Sequence, residues 1–347
     1  ETLKTIAWRR ADLPQVRLAA IELLARQDEP DTVNMLALML PTEPNWVVID
    51  GVCILAAENN WTALTPGLVR SWSRPVVTPP DDERPERKAL IALHPDQPVI
   101  DVVYDVFRTP ASGGLFDERA RRDAWTLLTR IDRDGVRTRD LLAADNPPSD
   151  DPLLSRLHEA AKRFAVVPRT TPQLEWLDRL GAPEYAAYRD RLATLIAQLS
   201  DEQRLGFEIR HFAALVWASE AAPDLLRTSR PELFSALTSD LASVRRTRRT
   251  EGYPDRMVAP RETLDEYESD LVWADLVTIQ AARAAIQNPD VLSEIFSAVN
   301  ADRRDTQTEY GGIIDRAAGA FSATLYDPRP PPRRGAYQSN PPNAMRT

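Results

Sequence analysis

The stretch LPQVRLAAIELLARQDEPDTVNMLALML, residues 13–40, decides how this chain is built. Leu13, Val16, Ala20, Leu23 and Leu24 recur at helical spacing, with Arg17, Glu22 and Arg26 between them. The run breaks at Asp28-Glu29-Pro30-Asp31. A second periodic run follows, with Val33, Leu36, Met39 and Leu40 on one face. The spacing predicts two short helices joined by a tight polar turn. Such a pair has two apolar faces and cannot bury both alone, so it requires neighbours of its own kind.

The rest of residues 1–165 supplies them. The pattern Arg-x-Ala-x-x-x-Leu occurs at Arg17, Ala19 and Leu23, at Arg87, Ala89 and Leu93, and at Arg122, Ala124 and Leu128. The second and third copies lie 35 residues apart and the first and second 70 apart. A copy without the arginine falls near residue 52, in Val-Cys-Ile-Leu-Ala-Ala. A fixed period of this size marks a helical solenoid. The small alanine lets helices approach, and the leucine four residues on is expected to fill the layer between repeats. Partner helices follow each copy, at Trp61, Leu64, Leu68 and Trp72, then at Val99 to Phe107, then at Leu141 and Leu142. Residues 153–164 close the array.

This pattern resembles HEAT or armadillo-type repeats over about residues 10–165. The resemblance implies stacked helical hairpins and no particular activity, because such arrays host unrelated roles. The fold class expected is all-α: a HEAT-like α-solenoid, then a helical bundle, then a small mixed C-terminal segment. The boundaries read from the sequence are 1–165 for the repeats and 166–250 for a bundle or diverged repeats. Residues 251–327 are read as a linker, a long helix and a small α/β segment, and 328–347 as a disordered Pro/Arg-rich tail. Within the bundle, Ser200 and Gln203 form a capping box that opens a helix expected to run to residue 219. A long helix is expected over 264–286, with Asp265, Glu266, Glu268 and Asp270 crowded at its start. Two strands are read at 308–315 and 321–326, around an Ala-Gly turn.

Composition bounds the function. Hydrophobic residues make up 43% and charged residues 27%, which describes a core-forming chain. No apolar run approaches the roughly 20 residues that span a bilayer. The first residues carry no secretory leader pattern. The net charge of −9 argues against general nucleic-acid binding. The single Cys53 excludes an intrachain disulfide, and its apolar helical run makes it a buried structural thiol in a reducing, cytoplasmic setting. Lys4, Lys88 and Lys162 are the only lysines, so arginine carries nearly all the positive charge. A GC-rich genome gives that bias without a functional cause, and this is the reading adopted.

Few residues carry chemistry. His94, His158 and His211 are far apart and unpaired with other ligands at metal spacing. His211, four residues from Phe207, reads as a core or boundary residue. Trp46 follows Pro44-Asn45 and is the tryptophan most free to sit at a surface as a binding anchor. Arg245, Arg246, Arg248 and Arg249 form the densest basic cluster, suited to an acidic partner or to a helix end. Nucleotide loops, serine elbows and the His-Glu-x-x-His motif do not occur.

Glu309-Tyr-Gly-Gly-Ile-Ile is similar to the Glu-x-x-Gly strand of JAB/MPN-type metallopeptidases. That resemblance implies Glu309 as a general acid/base beside a zinc held by a His-x-His pair and an aspartate. The chain has no His-x-His, and no histidine follows Glu309, so its own residues do not complete such a site. The function expected from the sequence is therefore a non-catalytic scaffold or adaptor for a protein partner, with no cofactor and no metal. The alternative is the C-terminal part of a zinc-dependent hydrolase with the repeats as a targeting module.

Overall fold

The computed structural model describes residues 1–109, 115–148, 150–242, 264–302, 311–317 and 319–326. Among these residues the fold is all-α apart from one antiparallel β-hairpin. Arg245, Arg246, Arg248, Arg249, Glu309, the segment read as a linker and the C-terminal tail lie outside the described residues. No helix among the described residues is long and apolar enough to cross a membrane. The chain divides into two compact units, Glu1–Arg163 and Phe164–Thr347.

The first unit runs α1 (Thr2–Trp8), α2 (Pro14–Gln27), α3 (Glu29–Met39), α4 (Trp46–Glu58) and α5 (Thr65–Ser73). It continues with α6 (Pro85–Leu93), α7 (Val99–Arg108), α8 (Leu115–Ile131), α9 (Val136–Ala144) and α10 (Pro152–Phe164). The stretch 13–40 forms the two helices its spacing predicts. Asp28 ends α2, and its Oδ1 accepts a hydrogen bond from the Asp31 backbone N at 3.1 Å, which caps α3. Pro30 sits in the first turn of α3, where its missing N–H costs nothing.

Successive hairpins stack in two layers. In one layer α2 lies on α4 and α4 on α6; in the other α3 lies on α5 and α5 on α7. Two glycines set the approach. A Cβ on Gly51 of α4 would come within 2.6 Å of Leu18 on α2, and one on Gly67 of α5 within 2.7 Å of the Ala37 backbone on α3. The long α8 leaves this order and packs across α5 and α7. Helix α5 is thus covered from several sides, and every residue from Gly67 to Ser73 is buried.

The recurring motif does not mark equivalent positions. Ala89 and Leu93 on α6, and Ala124 and Leu128 on α8, are buried. In the first copy the buried pair is Ala20 and Leu24, while Ala19 is exposed and Leu23 is 45% exposed. A one-residue shift turns a helix by about 100°, so the first copy presents its Ala and Leu to solvent and not to the next layer. The arginines also differ: Arg17 is buried, whereas Arg122 is exposed.

The second unit contains α11 (Thr171–Leu180), α12 (Ala186–Gln198), the single turn α13 (Asp201–Arg204), α14 (Phe212–Ala221), α15 (Arg230–Ala242), α16 (Trp273–Ile286) and α17 (Pro289–Asp302). Strands β1 (Gly311–Ala317) and β2 (Ala320–Tyr326) follow. Helix α16 packs on α13, α14, α15 and α17, and α17 packs on β2. The hairpin pairs Gly311 with Tyr326 through Ala317 with Ala320, and Gly319 takes φ +84° at its turn. Arg316 of β1 pairs with Glu220 of α14, which also pairs with Arg191 of α12.

Two expectations are corrected here. The capping box at Ser200 is present, with the Gln203 N donating to Ser200 Oγ at 3.3 Å and the Ser200 N to Gln203 Oε1 at 2.9 Å. The helix it opens stops after one turn, because Gly206 adopts φ +62° and the chain restarts as α14. The helix expected from residue 264 begins at Trp273. Asp275 Oδ2 accepts from the Val272 N at 3.1 Å, and Leu271 O is taken by Arg230 Nε at 2.8 Å. Asp265, Glu266, Glu268 and Asp270 therefore precede the helix in exposed turns and do not form its first turn.

Candidate functional site

Charge is concentrated inside the first unit, around the C-terminal end of α5. The last carbonyls of a helix have no partner within it. At the surface water serves them; here the end is buried. Arg130 of α8 donates from Nη2 to Trp72 O at 2.6 Å and from Nη1 to Ser73 O at 2.7 Å. Arg84 donates from Nη2 to Ser71 O at 3.0 Å and from Nη1 to Arg74 O at 3.4 Å. Arg74 donates from Nε to Ser71 O at 3.3 Å, and from Nη1 to Glu43 O at 2.7 Å. Three guanidinium groups thus serve one helix end, where positive charge also suits the dipole.

Two of the three, the buried Arg84 and the part-exposed Arg130, also hold a carboxylate, as does the buried Arg17 of α2. Arg84 grips Glu86 through Nε at 3.0 Å and Nη2 at 2.7 Å, and Ser71 Oγ donates to the same Glu86 at 2.7 Å. Arg130 grips Asp81 at 2.8 and 3.0 Å, and Trp72 Nε1 donates to that Asp81 at 3.0 Å. Arg17 grips Glu43 at 3.1 and 2.5 Å and donates from Nε to Ala7 O at 2.9 Å, tying α1 and α2 to the start of α4. Burial works to raise the Glu43 carboxyl, but Arg17 and the Asn45 N–H outweigh it and hold it below the usual carboxylate range. Only a planar fork makes two carboxylate bonds and reaches carbonyls as well. At Arg17, Arg84 and Arg130 the fork is used in this way.

Trp46 opens α4 after Asn45, whose Oδ1 accepts from the Val47 N at 2.9 Å. Its ring is half-buried and carries the Arg84 guanidinium 4.8 Å from its centroid. Cys53 is buried on the same helix, and burial pushes its thiol well above the ordinary value.

In the second unit His211 is buried, as its sequence context suggests. Its Nδ1 accepts from the Glu208 N at 2.9 Å, so Nε2 carries the proton and donates to Asp275 Oδ1 at 3.0 Å. Both ring nitrogens are committed, which makes the pair a clamp between the turn before α14 and the start of α16. Burial works to raise Asp275, but His211, the Val272 N–H and Arg210 together hold it below the usual range. His94 Nε2 lies 2.9 Å from Thr65 Oγ1, and His158 Nδ1 donates to Leu142 O at 2.8 Å. Among the described residues no three His, Cys, Asp or Glu side chains come together as a metal site.

One cleft of about 450 Å³ opens between the C-terminal ends of α7 and α9, lined by Asp105, Arg108, Thr109, Asp145, Asn146, Pro148 and Leu154. Asp145 is 6% exposed and accepts from Tyr104 Oη at 2.9 Å and from the Asn146 N at 2.9 Å. Burial and then this bond push the Tyr104 hydroxyl far up. Asp105 Oδ2 accepts from Gln97 Nε2 at 2.7 Å. Arg108, 50% exposed, stands 3.9 Å from Asp105 and 3.6 Å from Asp145, too far for a hydrogen bond to either. Sequence reading missed this cleft, since Asp105 and Asp145 belong to separate helix ends with no shared motif.

Two outcomes follow from these geometries. Arg84→Lys keeps the charge but loses the fork and the carbonyl donors. It should lower the urea unfolding free energy by about 3 kcal/mol, the order expected when a buried charged pair is broken. Glu43 and Asp275 have folded values below their unfolded ones, near 4. The unfolded state therefore binds more protons, and their contribution is complete above about pH 4 and is lost as pH falls through the lower folded values. Urea midpoints measured from pH 5 down to 2 should fall steeply, and Asp275→Asn should flatten part of that slope.

No protein-family model, no curated protein and no solved structure matches the chain.

Proposed function

We propose that this chain is a non-catalytic helical-repeat scaffold, HEAT-like in its first unit, that binds a protein partner in a reducing, cytoplasmic setting. The observation that carries this reading is an apolar strip on α2. Leu13, at its N-cap, is 68% exposed, Val16 47% and Leu23 45%. Leu18 faces Gly51 of α4, and Val16 and Leu23 lie about 150° round the helix from it. They occupy the side of α2 turned away from the next hairpin. Helix α1 packs against another part of α2, and among the described residues Leu13, Val16 and Leu23 stay exposed beside it. Apolar residues three and seven apart on that side suit an amphipathic helix of a partner.

The interior charges support the same reading. Arg17, Arg84 and Arg130 spend their donors on carboxylates and carbonyls of the fold, and His211 donates to Asp275 and accepts from the Glu208 N–H. Their work is to hold the scaffold rigid. The test uses the immobilised chain and a lysate of its source organism, read by mass spectrometry at moderate salt. One stoichiometric protein is expected on the native chain and absent from Val16→Glu/Leu23→Glu, whose circular dichroism should be unchanged. Nothing retained above background, or equal capture by the variant, contradicts the proposal.

A further inference from the structure

The cleft between α7 and α9 has the electrostatics of a cation receptor, and this holds whether or not α2 binds a protein. Two helices end at it: Thr109 is the C-cap of α7 and Asp145 that of α9. A helix C-terminus carries partial negative charge, up to about half a unit before its carbonyls find partners. Two carboxylates line the space against one guanidinium. That guanidinium is held loosely, at 3.6 and 3.9 Å, and is half in solvent.

The acceptors are not used up. Asp105 Oδ1 has Arg108 at 3.9 Å and no hydrogen bond, while its Oδ2 is fixed by Gln97. Asp145 is held rigidly by Tyr104 and the Asn146 N–H, so its position needs no rearrangement on binding. Pro148 and Leu154 give the space an apolar wall, fit for the methylene stem of a long cationic side chain. A planar fork answers two separated carboxylates better than a point charge does.

We propose that this cleft receives the guanidinium of an arginine, either as the free amino acid derivative or as a side chain of a peptide. Arg108 is then a built-in competitor, whose loosely placed guanidinium offsets the charge of the two carboxylates until a better-placed fork displaces it.

The test is calorimetric titration of the full chain with three probes: acetyl-arginine methylamide, its uncharged citrulline counterpart, and the blocked tripeptide Gly-Arg-Gly. The arginine probe should bind in the millimolar range or better, and the citrulline probe at least about tenfold more weakly. Asp105→Asn should weaken arginine binding by about fivefold or more, since it removes the open acceptor. Arg108→Gln should strengthen it, because it removes a like charge from the same space. A purely structural role for these residues would not produce that gain. A tripeptide tighter than the single residue assigns the site to peptides; equal affinity assigns it to a small molecule. No heat of binding with either arginine probe, citrulline binding as tight as arginine, or weaker binding by Arg108→Gln overturns the proposal.

Discussion

A helix whose end is buried must find donors for its last carbonyls, and in the first unit this requirement falls on α5. Ser71 to Ser73 are buried. Arg74, Arg84 and Arg130 donate to their carbonyls, and each brings a charge that must itself be answered. Glu86 and Asp81 answer two of them, and Ser71 and Trp72 turn their own donors to those same carboxylates. Solving one backbone problem thus recruits the segment between α5 and α6, the start of α6, and α8. Burying these ions is costly. Their geometry returns much of that cost as charge-assisted bonds, and it leaves one arrangement of α5, α6 and α8 that satisfies all of them.

Local structure was legible where one short-range rule decided it. Asp28-Glu29-Pro30 stops one helix and starts the next, and the Ser200–Gln203 box forms as its spacing demands. The β-branched run Val99 to Phe107 is helical because its apolar residues fall at three and four. Legibility failed where a distant group outvoted the local pattern. Gly206 breaks a periodic run that continues on both sides of it. Asp275 moves a helix start to Trp273, because its carboxylate is the shared acceptor of Val272, His211 and Arg210. The Arg-x-Ala recurrence was real as sequence, yet a shift of one residue in α2 turned its first copy outward. Periodicity reports a face and not which neighbour will cover it.

Function was less legible still, for a physical reason. The sequence offered Trp46 as a surface anchor, and the fold lays Arg84 over its ring. Arginine abundance gave no hint of which residues matter, and around α5 it is Arg84 and Arg130 that use the fork. The cleft at Asp105 and Asp145 arises from two helix ends meeting, and nothing in either segment announces the other. A scaffold reading and a cation-receptor reading concern different faces of one rigid unit. Both depend on α5 holding its neighbours in fixed register.

Hydrogen exchange followed residue by residue on the intact chain tests that dependence most directly. If α5 is the common support, the amides of Leu68 to Ser73 exchange only through global opening of the first unit. They should be its slowest class, with a free energy equal to that of denaturant unfolding. Exchange of α5 as fast as that of α1, or through a local opening well below the global value, would contradict the account.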